Sequence, residues 1–175
     1  MAVVLVGGGA RSGKSRFALD YIRKRRSSGV FIATGEARDD EMHERIRRHR
    51  AERGDFWTTL EEPLELTSAI TDQDTDNKSV LVDCLTLWLS NVLLDPARDE
   101  EAEIDRLQQA IADWRGGDLV LVTNEVGCGI VPDNALARRF RDLAGRLNQS
   151  LAATADQVYW MVFGVALAIK PGGRT

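Results

Sequence analysis

A doubly wound, mainly parallel α/β sheet flanked by helices is the fold class this sequence predicts, on three observations. Short apolar runs rich in Val, Leu and Ile recur along the chain, helical patterns separate them, and the first run leads straight into a glycine-rich loop. Unbroken apolar strands suit a sheet covered on both faces, and their alternation with helices calls for parallel crossovers. At 175 residues the chain has room for one domain with a sizeable core, read as 1–175.

The strands read in order as VVLV at 3–6, VFIAT at 30–34, VLVDC at 80–84, LVLVT at 119–123 and QVYWMVF at 157–163. Ser15 to Arg26 has helical periodicity after the glycine-rich loop, and Asp40 to Glu52 reads as a charged helix. A further helix begins near Leu85. Ile104, Leu107, Ile111 and Trp114 form an apolar stripe halted by Gly116-Gly117. Leu136, Phe140, Leu143, Leu147 and Leu151 mark one face of a last helix, opened by Asp133. The polar stretch Thr71 to Ser79 reads as an exposed loop.

Composition narrows the function. A formal charge of −4 disfavours a general nucleic-acid binder, because affinity for a polyanion comes from Lys and Arg on phosphates. Cys84 and Cys128 are the only cysteines and have no CxxC spacing, so they read as reduced core thiols rather than a disulfide framework or zinc site. No apolar run approaches the length of about 20 residues that spans a bilayer, and no charged leader precedes the first strand. The expectation is a cytoplasmic protein without membrane insertion.

Gly8-Gly9-Ala10-Arg11-Ser12-Gly13-Lys14-Ser15 fits G-x-x-x-x-G-K-[ST] between a strand and a helix, the setting of a phosphate loop. The glycines let backbone N–H groups curl towards phosphate oxygens, and the following helix N-terminus adds favourable partial charge. Lys14 is placed to reach the β- and γ-phosphates, and the Ser15 hydroxyl to bind Mg²⁺. The fold class is thereby narrowed to a P-loop NTPase-like sheet, where ligands gather at the carboxyl ends of the strands. Asp83 ends one such strand and can hold Mg²⁺ or cap the next helix.

Both histidines lie in RDDEMHERIRRHRAER, Arg38 to Arg53. Acidic residues at its start and arginines later, with Glu44 and Arg48 four apart, suit a solvated helix. His43 and His49 are about 120° apart around such a helix, which disfavours a shared metal. Arg45, His49 and Arg53 share a face, so an imidazole between two guanidinium groups could instead attack phosphorus. Spacing leaves both readings open.

Several ordered segments together resemble one family, the bifunctional adenosylcobinamide kinase/adenosylcobinamide-phosphate guanylyltransferases of cobalamin biosynthesis. They are GGARSGKS at 8–15, IATGEARDDEMHERIRRHRAER at 32–53, WTTLEEP at 57–63, LVDCLTLWLSN at 81–91 and the long stretch from Val122 to Val162 containing NEVGCGIVPDN. The resemblance implies phosphorylation of adenosylcobinamide by ATP or GTP, then transfer of GMP from GTP to the resulting phosphate. It implies His49 as the carrier of a covalent GMP-histidine intermediate, with Lys14 also catalytic. Nucleotide contacts carry over to Gly8, Gly9, Ala10, Arg11, Ser12, Gly13, Lys14 and Ser15, to Ala33-Thr34-Gly35, to Arg50, Ala51, Glu52 and Arg53, and to Glu61 and Asp83. Mg²⁺ is the implied cofactor, with Ser15 as its ligand, and a homotrimer the implied assembly.

Glu125, just after a strand, stands as a supporting residue. The four tryptophans have no common spacing and are expected mostly in the core or between subunits. Exposed apolar residues on the Leu85 to Leu94 helix could serve an interface. Two departures from the family pattern stand out: Cys128 where Met is usual, and the tail from Ala166 to Thr175. A nucleotide-dependent switch is disfavoured, because a guanine-reading N-K-x-D after a late strand is replaced by Thr123-Asn124-Glu125-Val126.

Overall fold

The computed structural model describes residues 1–36, 44, 47, 54–75 and 78–171. Seven strands form one sheet: β1 (Val3–Gly8), β2 (Gly29–Ala33), β3 (Trp57–Glu61), β4 (Val80–Asp83), β5 (Leu119–Val122), β6 (Gln157–Val162) and β7 (Val165–Lys170). Their spatial order is β3-β2-β4-β5-β1-β6-β7. All neighbours are parallel except β6 and β7. The described helices are α1 (Lys14–Arg23), α2 (Leu66–Thr71), α3 (Leu85–Leu94), α4 (Glu100–Asp113) and α5 (Ala135–Thr154).

The continuous apolar strands are continuous because both their faces are covered. Val3 and Leu5 of β1, Val80 and Val82 of β4, and Leu119 and Leu121 of β5 face a core built with residues from α2, α3, α4 and α5. The intervening Val4, Val6, Leu81, Val120 and Val122 face a second core with Ala18, Tyr21 and Ile22 of α1. Side chains alternate across a strand, so each of these runs serves two cores at once. Asp99 caps α4 by accepting from the amides of Glu101 and Ala102, and three glutamates in its first turn favour the same end. Trp114 ends it and turns its indole N–H onto the Gly117 carbonyl at 2.8 Å.

The five expected strands and the expected fold are present, with differences at particular places. β3 and β7 are edge strands that were not anticipated, and α2, only six residues long, carries no periodicity to read. α1 ends at Arg23, short of Arg26. Asn134 and not Asp133 caps α5, its side chain accepting from the Ala137 amide at 3.1 Å. Cys84 is buried as expected, but Cys128 is exposed. Its loop, 128–131, lies on the outer surface and gives the thiol nothing to pack against.

Trp57, Trp88 and Trp114 are buried in the core, and Trp160 is partly so. On α3 the expected exposed apolar face reduces to Leu94, because its other large side chains lie between the sheet and its neighbouring helices. β7 instead exposes Val165, Leu167 and Ile169. Arg98, just beyond α3, pairs with Glu65, Asp95 and Glu103 and so ties the start of α2 to α4. Hydrogen bonding to Arg98 holds the Glu65 carboxyl below its usual range.

Candidate active site at the carboxyl edge of the sheet

β1 is where the winding reverses. After it the chain crosses β5 and β4 to reach β2, whereas the later crossover through α5 places β6 on its other side. The crevice beyond its carboxyl end is where an open α/β sheet binds ligand. The phosphate loop begins there.

The loop's shape follows from its residues. A side chain at Gly8 would place its Cβ 2.7 Å from the Met161 carbonyl, so glycine alone lets β1 and β6 close up at this point. Gly13 has φ of 94° and turns the chain into α1, whose N-terminus has no side-chain cap. Its first amides therefore remain for an anion. Arg11 stands at φ of 55° with its side chain outside, and Gly9 and Ala10 are exposed beside it.

Lys14 is buried and donates from Nζ to the Gly9 carbonyl across the loop. Two neighbours brace the loop from outside. The Glu125 amide donates to the Gly8 carbonyl at 3.1 Å, and the Gly164 amide to the Ser12 carbonyl at 3.1 Å. Ser12 Oγ is buried without a hydrogen-bond partner among the described residues, a polar atom of the kind a phosphate oxygen satisfies.

Ala33 lies beside Asp83 on one side and Glu61 on the other, so three more predicted residues share the same sheet edge. Ala33, Gly35 and Asp83 are partly exposed and Glu61 is exposed. Thr34 is different: it is fully buried, and its hydroxyl donates to the Cys84 carbonyl at 2.7 Å while accepting from the Cys84 amide at 2.9 Å. The Asp83–Cys84 peptide bond is cis. Burial pushes the Cys84 thiol up to about 11, with the Asp83 charge adding to the effect, so near neutral pH it is a protonated packing residue and not a nucleophile.

The segment after β5 is held by a polar cluster that sequence reasoning did not anticipate. Thr123 Oγ1 donates to Asn148 Oδ1 at 2.8 Å, the Asn124 amide donates to Thr86 Oγ1 at 2.7 Å, and Asn148 Nδ2 reaches the Asn124 carbonyl at 3.3 Å. The Glu125 carboxylate accepts from the Gly127 amide, which occupies it in shaping its own loop. The one available hint was Thr86 and Thr123, hydroxyl residues in or beside otherwise apolar elements.

His49, Arg50, Ala51, Glu52 and Arg53 lie outside the described residues, as do His43, Arg45 and Arg48. Of that stretch, Glu44 and Arg47 are described, both exposed and joined by a salt bridge at 2.7 Å. Among the described residues no cluster of His, Cys, Asp and Glu could hold a metal by itself. Ser15 and Asp83 nevertheless offer a hydroxyl and a carboxylate, the hard oxygen donors that suit Mg²⁺ alongside a triphosphate.

Comparison with solved structures places the fold. The chain resembles the RadB recombinase with a TM-score of 0.54 over 91% of this chain and 73% of that one, at 15% identity. Sequence comparison is closer. It is 41% identical over 169 residues to the bifunctional adenosylcobalamin biosynthesis protein CobP of Pseudomonas aeruginosa, covering 95% of this chain and 96% of that protein. It is 42% identical over 181 aligned residues to the bifunctional adenosylcobalamin biosynthesis protein CobU of Escherichia coli, covering 96% and 99%. The family model described as cobinamide kinase / cobinamide phosphate guanyltransferase matches residues 4–169. With a match running from β1 into β7, the chain belongs to the cobinamide kinase / cobinamide phosphate guanyltransferase family.

Proposed function

We propose that this chain catalyses two successive transfers in cobalamin biosynthesis. In the first, the hydroxyl of adenosylcobinamide attacks the γ-phosphorus of ATP or GTP, the bond to the β-phosphate oxygen breaks, and the hydroxyl proton is released. In the second, the His49 imidazole attacks the α-phosphorus of GTP and pyrophosphate leaves. An oxygen of adenosylcobinamide phosphate then attacks the GMP phosphorus and frees the histidine, giving adenosylcobinamide-GDP. The observation that carries this reading is the family match over residues 4–169.

The geometry supports the triphosphate part. The amides from Gly8 to Ser15 and the uncapped end of α1 suit phosphate oxygens, and Lys14 is positioned to exchange the Gly9 carbonyl for a phosphate. Ser15 and Asp83 would hold Mg²⁺, which supplies positive charge to the transferring group. Ala33 and Glu61 border the same edge, and Gly35 follows two residues after Ala33. The covalent role of His49, with Arg50 to Arg53 beside it, rests on family resemblance.

The chain is further proposed to act as a single domain in the cytoplasm and as a homotrimer. A free exposed thiol accords with a reducing compartment. No described helix is long and apolar enough to cross a membrane. The exposed Val165, Leu167 and Ile169 of β7 offer the assembly a contact surface.

Labelled GTP tests the central claim. With α-labelled GTP the protein takes up acid-labile, alkali-stable label, with γ-labelled GTP it does not, and His49→Asn abolishes uptake while kinase activity persists. A wild-type protein that never acquires α-label would refute the guanylyl transfer.

A further inference from the structure

Asn91 sits in the apolar helix α3, buried, with no part in the chemistry described so far. Its Nδ2 group donates to two backbone carbonyls, Thr34 at 2.9 Å and Pro63 at 3.1 Å. These are the exits of β2 and β3. Three residues earlier on the same helix, Trp88 Nε1 donates to the Leu64 carbonyl at 3.0 Å, so one face of α3 holds the β3 exit at two points.

Thr34 extends the hold to β4. Its amide donates to the Asp83 carbonyl at 3.3 Å, and its hydroxyl binds both the amide and the carbonyl of Cys84. The amide, carbonyl and hydroxyl of Thr34 are thus all engaged within the fold. A nucleotide contact at this turn falls to its partly exposed neighbours Ala33 and Gly35. Thr34 thus binds the backbone on both sides of the link between Asp83 and Cys84, through its amide on one side and its hydroxyl on the other.

We propose that Asn91 and Thr34 are positioning residues that form a buried clamp across the ends of β3, β2 and β4, and so set the Asp83 carboxylate towards the metal of a bound nucleoside triphosphate. The clamp joins the turn at Ala33–Gly35 to the metal-side carboxylate, so nucleotide seated on one is registered with the other. The proposal rests on the reading of Asp83 as a metal-holding group.

Calorimetry of GTP binding to the full chain, in Mg²⁺ and in EDTA, separates the two claims. Wild-type protein binds GTP more tightly with Mg²⁺. Asn91→Leu and Thr34→Val each lose about tenfold of that gain, as expected for removing a buried hydrogen-bonding group, whereas affinity in EDTA is retained. Thr34→Ser, which restores the hydroxyl, recovers the gain lost in Thr34→Val. If the folded variants keep the whole Mg²⁺-dependent gain, the clamp is refuted and the Asp83 reading stands. If affinities with and without Mg²⁺ fall together, in step with melting temperature, the residues are merely structural and the proposal is again overturned. A wild-type protein with no gain from Mg²⁺ removes the metal reading and the clamp with it. Should Asn91→Leu fail to fold, the Val and Ser variants of Thr34 decide the matter.

Discussion

The Gly164 amide donates to the carbonyl of Ser12, fastening the β6–β7 turn to the phosphate loop. Gly164 has φ of 81°, and a Cβ there would meet nothing within 4 Å. Gly164→Ala therefore keeps the bond and incurs only the left-handed backbone cost, of about 1–2 kcal/mol. Gly164→Pro removes the donor and cannot adopt that φ. The expected outcome is several-fold weaker GTP binding for the proline variant and little loss for the alanine variant beyond a modest drop in melting temperature. Equal GTP affinity in both would show that the turn does not brace the loop.

The sequence makes some of this architecture legible and hides the rest for physical reasons. β1, β4 and β5 announce themselves because each of their large apolar side chains meets one of two cores, giving uninterrupted runs. β3 is an edge strand whose WTTLE is interrupted by polar residues, and β7 hides differently: VALAI is an unbroken apolar run, yet most of it is exposed and it meets a core only at Ala166. The phosphate loop is legible because its glycines answer local backbone demands, as the φ of 94° at Gly13 demonstrates. The Thr34–Asn91 contact joins residues 57 apart, and nothing local to either residue requires it.

Two glycines should respond to alanine in opposite directions. A Cβ at Gly117 would lie 2.6 Å from the Lys78 carbonyl and 2.7 Å from Ser79 Oγ, and the backbone atom has little freedom to yield. Overpacking of this kind costs about 1–3 kcal/mol. Gly145, inside α5, has open space around the same position. Gly145→Ala should stabilise by about 0.5–1 kcal/mol, because the unfolded chain loses freedom and the helix gains propensity. Thermal melts at equal protein concentration read both, with roughly 2–4 °C expected per kcal/mol at this chain length. A stabilised Gly117→Ala would contradict the close approach.

The outer face of β7 yields a test of assembly. Val165, Leu167 and Ile169 alternate along an edge strand and are all more than half exposed, a pattern of apolar surface that copies of the chain can cover. Leu167→Lys with Ile169→Lys should convert the proposed trimer to monomer in light scattering. The change should leave the fold intact, because neither side chain belongs to the core. An unchanged trimer would move the interface to another surface.

The two cysteines should differ in reactivity, and one should leave a trace in alkaline stability. Native protein at neutral pH should react with a thiol reagent once, at the exposed Cys128, and the unfolded chain twice. Burial raises the Cys84 thiol from 9.0 to about 11, so the folded state retains a proton that the unfolded state releases earlier. The sign follows directly: the contribution is complete below pH 9, where both states are protonated, and declines as pH rises through about 11. Its size is of order 2 kcal/mol. Denaturant midpoints measured across this interval should fall more steeply for wild type than for Cys84→Ala, a comparison that cancels the raised ionisation of Tyr21 common to both. Parallel slopes would mean that the Cys84 thiolate is tolerated in the fold, contrary to its position between Thr34 and the core.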